Sequence, residues 1–171
     1  MTTNPRRDAS ADGPTSGGWI KWLLVGWLVA GTLDITYAIA FSYFRSGVSP
    51  SRVLQYVASG ALGPDSFQGG AATAAAGLGF HYLIAFVIAA IYFAAASRLS
   101  MLRTQPLLIG GLYGVAAYGV MNYVVVPLSR IGPRPTPAAV VLITGIIVHI
   151  CLIGWPVALS ARRAFTTSRG H

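Results

Sequence analysis

The sequence contains no glutamate, and its only acids are Asp8, Asp12, Asp34 and Asp65. Charged residues fill 9% of its 171 positions, against about a quarter in ordinary soluble domains. That is too little charge to clothe a water-exposed surface. There is one cysteine, Cys151, so no intrachain disulfide can form and no metal-ligand spacing exists around a thiol. Within an apolar stretch it reads as a small core hydrophobe. No nucleophile–base pair, phosphate loop or cofactor fingerprint occurs, which leaves no recognisable enzyme motif.

Apolar residues are abundant: hydrophobic types make up 54% and the mean hydropathy is +0.63. The net charge of +8 does not point to nucleic acid, because the twelve Lys and Arg residues flank apolar stretches. In that position they set topology and meet lipid headgroups, so the expected partner is the bilayer. Four stretches reach the roughly 20 residues a membrane helix needs. They run over residues 19–44, 74–96, 106–128 and 138–159. The expected fold is an all-α membrane protein of four transmembrane helices, arranged as two tandem hairpins in a domain over 19–162. Residues 1–18 and 163–171 read as cytoplasmic tails, the first disordered. Ala38-Ile39-Ala40 resembles a cleavage site, but the run before it exceeds a signal peptide's core, so the first span is read as retained.

Between the first two spans, Ser49-Pro50 opens a short helix that Gly60 is expected to end, lying in the interface or over the bundle mouth. Pro156 is expected to kink the last span. With both termini in the cytoplasm, eight Lys and Arg residues lie inside and four outside, the bias of a bacterial inner-membrane protein.

A motif repeats. Gly26, Gly31 and Asp34 have the spacing of Gly114, Gly119 and Asn122, and each set is followed by a G-x3-H: Gly77 with His81, Gly145 with His149. The order predicts an internal duplication with a pseudo-twofold axis along the membrane normal. Fourfold spacing puts Gly26, Ala30 and Asp34 on one stripe, Gly110, Gly114, Tyr118 and Asn122 on another, and Gly77, His81 and Ala85 on a third. Small residues at such spacing mark close-packed faces, so Asp34, His81, Asn122 and His149 should point into the bundle as one polar cluster. A rise of about 1.5 Å per residue places Asp34 and Asn122 roughly 20–25 Å above the cytoplasmic boundary, His81 about 20 Å and His149 about 14 Å.

A carboxylate in hydrocarbon costs several kcal/mol, so Asp34 is neutral, paired with His81 or His149, or wetted by a cavity. It either pins helices through an Asp–His hydrogen bond or titrates, handling protons or a cation; Asn122 reads as interhelical glue. As a symmetric pair, His81 and His149 offer an alternative: ligation of b-type haem or a metal. Four helices are few for an enclosed pathway, which makes a homodimer or a membrane-complex partner a candidate.

The stretch GGLYGVAAYGVMNYVVVPLSRIGPRPTPAAVVLITGIIVHICLIGWPVALSARR carries a Gly-spaced helix, Pro127-Leu128, a Pro-rich loop, a G-x3-H helix and a closing Arg162-Arg163. With GGAATAAAGLGFHYLIAFVIAAIYFAAASR, it resembles uncharacterised bacterial inner-membrane proteins, distantly the YagU-like family, over roughly residues 20–165. The resemblance implies a small multi-pass protein and supplies no catalytic residue. Val148 stands before His149 where that family has an acid nearby.

Overall fold

In the computed structural model, which describes residues 18–166, the helices are α1 (Gly18–Ser46), α2 (Pro50–Leu62), α3 (Gly70–Arg98), α4 (Met101–Thr104), α5 (Pro106–Leu128) and α6 (Ala139–Thr166). α1, α3, α5 and α6 are each long and apolar enough to cross a membrane, and no strand occurs among the described residues. The chain is an all-α, multi-pass membrane protein. Large apolar side chains such as Leu28, Leu83, Leu108 and Ile143 stand exposed along the helices, where a bilayer would cover them.

The four long helices form one bundle in which α6 contacts the other three. α1 packs on α3 and on α6, and α5 packs on α6. The Tyr113 hydroxyl links α5 to α3 by donating to the Ile88 carbonyl at 2.7 Å. The end holding α2 and the 129–138 loop is termed upper, and the end holding α4 lower.

The lower half is tightly packed at its centre. Ala30, Ala89, Tyr92, Phe93, Val157, Ala158 and Ala161 form its core, all nearly inaccessible. Glycine lets the backbones meet there. A Cβ on Gly154 would collide with the Gly110 carbonyl, and one on Gly110 would lie 2.7 Å from the Ala158 methyl. Higher up, a Cβ on Gly114 would strike the His149 carbonyl. On α1, Gly26 faces Ser160, and a Cβ on Gly31 would lie 2.9 Å from the Tyr82 ring. The Trp27 indole donates to the Tyr82 carbonyl at 2.7 Å. Gly119, expected to pack, instead has open space where its Cβ would be. Cys151 is half-buried beside Trp155 and Pro156.

Two wide, π-helical turns interrupt the upper halves, at Met121–Val125 in α5 and His149–Gly154 in α6. Each ends two residues before a proline, Pro127 or Pro156. Proline has no N–H and crowds the carbonyl four residues back. The chain relieves this by widening one turn, so that Val126 N–H reaches Met121 and Trp155 N–H reaches Ile150, five residues back. The kink expected at Pro156 therefore takes the form of a wide turn before it. α6 then continues past the expected end at residue 159 to Thr166, because Val157, Ala158, Ala161 and Ala164 bury one face while Arg162 and Arg163 face outward. The remaining tail residues lie outside the described ones.

α2 caps the upper end. It ends at Leu62, with Gly63 at φ 79° taking the turn expected of Gly60. It lies backbone-to-backbone on α3, since a Cβ on Gly77 would collide with the Leu54 carbonyl. A buried polar knot secures it: Gln55 Nε2 donates to the Gly70 carbonyl at 3.1 Å, Ser66 Oγ to the Gln55 carbonyl at 3.0 Å, and Thr73 Oγ1 to the Ser66 carbonyl at 2.6 Å. Gly77 thus packs on α2 while Gly145 meets the Tyr118 ring, and wide turns occur in α5 and α6 but not α1 or α3. The two halves differ locally at the positions where the motif repeats.

Candidate intramembrane polar site

The upper halves of the helices diverge. α1 and α6 are closely packed along Trp155–Thr166, less so along His149–Gly154, and nearly lose contact above Val148. Two adjoining hollows fill the space this opens. An inner cavity of about 350 Å³ lies under α2, and a cleft of about 540 Å³ lies between α1, α5, the 129–138 loop and upper α6.

All four sequence-predicted polar residues, Asp34, His81, Asn122 and His149, line the inner cavity, and three of them (all but His81) line the cleft as well. They do not occupy one layer. Counted from the upper helix ends at about 1.5 Å per residue, Asp34, His81 and His149 lie roughly 15–18 Å down, whereas Asn122 lies about 9 Å down. Three groups are deep and one is at the mouth.

The Asp–His hydrogen bond considered from the sequence does not form. His81 Nε2 lies 2.8 Å from the Gly31 carbonyl oxygen, bridging α3 to α1, and His149 Nδ1 lies 2.9 Å from the Gly145 carbonyl of its own helix. Asp34 has no hydrogen-bond or ion-pair partner among the described residues. Its carboxylate meets the cavity instead, which is how the chain avoids sealing a bare charge in hydrocarbon.

Carbonyl partners determine where each imidazole proton resides. A carbonyl only accepts, so the neutral ring must carry hydrogen on the nitrogen facing it. His81 is then the Nε2–H form and His149 the Nδ1–H form, each with a lone pair on its other nitrogen. Nitrogen-15 NMR of histidine-labelled protein in nanodiscs should resolve two opposite tautomers for the neutral rings. A shared tautomer would contradict this geometry.

Arg134, which the sequence reading used only for topology, guards the mouth. It donates through Nη1 to the Tyr56 hydroxyl at 2.6 Å and through Nη2 to Asn122 Oδ1 at 3.2 Å. Asn122 in turn donates to the Tyr118 carbonyl at 3.0 Å, so its role is to anchor the loop. Burial pushes the Tyr56 phenol up, and the nearby Arg134 charge partly offsets it. Arg130 strengthens the closure, its Nη1 donating to the Leu62 carbonyl at 3.3 Å and its N–H to the Gly60 carbonyl at 2.9 Å. The signal for Arg134 in the sequence was its place between Pro133 and Pro135, a stiff segment that can hold a long side chain over a hollow.

No family model, curated protein or solved structure matches this chain.

Proposed function

We propose that this is a bacterial inner-membrane protein with cytoplasmic termini, in which Asp34 is the working acid of a blind, outward-facing site that binds a cation or proton. The observation carrying this reading is the unpartnered Asp34 carboxylate, which shares one cavity with His81 and His149. An acid with no donor in hydrogen-bond reach calls for a positively charged or proton-donating occupant. The buried apolar core of the lower half supports binding from the upper side rather than conduction through the bundle. The orientation rests on the Lys and Arg bias, which puts the site in the outer half of the bilayer.

Infrared difference spectroscopy on the purified protein in nanodiscs tests the proposal. A pH jump should reveal a protonated-carboxyl band from Asp34, and adding the bound cation at fixed pH should reduce that band. A band insensitive to every cation tried restricts the site to protons, and no band from Asp34 overturns the proposal. The haem alternative has less support, because the Nε2 of His81 is already bonded to Gly31 and ligation through it would break that bridge between α1 and α3.

A further inference from the structure

We infer that the occupant is a lipophilic organic ammonium ion, a primary amine on an apolar body, which enters Asp34's site sideways from the bilayer. This rests on the reading of Asp34 as a cation-binding acid and names the class of cation.

Three observations support it. First, the cleft opens where upper α1 and α6 lose contact above Val148, so its side faces the lipid-covered surface above Asp34, which lies at its deep end. Second, the route from water passes Arg134, whose fixed guanidinium repels a hydrated cation at the mouth. A molecule already dissolved in the bilayer avoids that barrier. Third, the walls suit an apolar body with a charged amine. Tyr37 and Phe41 stack at 5.5 Å along α1, and Tyr118 and Tyr123 face them from α5. Aromatic faces attract an ammonium group as it sheds water. At the deep end, the Asp34 carboxylate accepts one N–H and the free Nε2 of His149 another. An inorganic ion has no apolar body to bury against the aromatic and proline walls.

Equilibrium binding to the full-length protein in nanodiscs tests the inference, with dodecylamine as probe and dodecanol and dodecyltrimethylammonium as comparators. Dodecylamine should bind at least about tenfold more tightly than either, the scale of one hydrogen bond to a charged group. Asp34→Asn should remove that preference and Asp34→Glu should keep much of it. Thr144→Trp, which fills the lateral opening, should block the amine while leaving the Asp34 infrared band in place. Equal binding of the three probes, with the Asp34 band still responding to inorganic cations, overturns this inference and leaves the proposed function standing. No Asp34 band and no amine preference overturns both.

Discussion

Asp34→Asn is expected to abolish cation and proton binding while leaving the fold as stable as before. The two outcomes together decide whether this residue works or holds. Had Asp34 been half of a buried ion pair, removing its charge would strand the partner and cost about 3–5 kcal/mol. Here it touches no partner: His81 is satisfied by Gly31 and His149 by Gly145. Asparagine keeps the shape and takes away a charge that the membrane disfavours. Unfolding in mixed micelles should therefore shift by no more than about 0.5 kcal/mol, or move toward greater stability. Meanwhile the carboxyl band should vanish, because Asp34 is the one acid lining the inner cavity or the cleft. A large loss of stability would make Asp34 a structural residue.

The second large effect is expected at a glycine. Gly154→Val should unfold the α5–α6 pair, because the new Cβ lands on the Gly110 carbonyl, which belongs to a helix backbone and cannot swing aside. The cost should reach or exceed about 3 kcal/mol, the top of the range for overpacking, and protease should then cut α5 and α6. Gly119→Ala is the matched control. It faces open space, and alanine's better helix propensity should leave stability unchanged or raise it by up to about 1 kcal/mol. If both variants behave alike, the two helices do not meet at Gly154.

The pair also shows how far short motifs can be read. Gly114 and Gly119 look equivalent in the repeated pattern, yet one lies against the backbone of α6 and the other faces a void. Spacing identifies a stripe. It does not say how far along the stripe the partner helix stays in contact. The same limit applies to the polar residues. Fourfold spacing brought Asp34, His81, Asn122 and His149 to the inner side, and all four line one cavity. Their bonding was not legible, because a histidine among helices can choose a carbonyl on its own turn or across the gap. Arg134 was missed for a similar reason: 12 residues separate it from Asn122 and 78 from Tyr56, and only folding of the Pro-rich loop over α2 brings them together.

What the sequence determined by itself was the number of spans and the inward direction of the polar stripes. Those follow from helix length against bilayer thickness and from the 3.6-residue period, which are local properties. The packed lower half, the divergent upper half and the free carboxylate between them were decided only by tertiary structure. They arise from where four backbones come close enough to exclude side chains, and from two prolines that widen α5 and α6 beside Asn122 and His149. A carboxylate's partner depends on distances between helices, and no pattern along one chain encodes those.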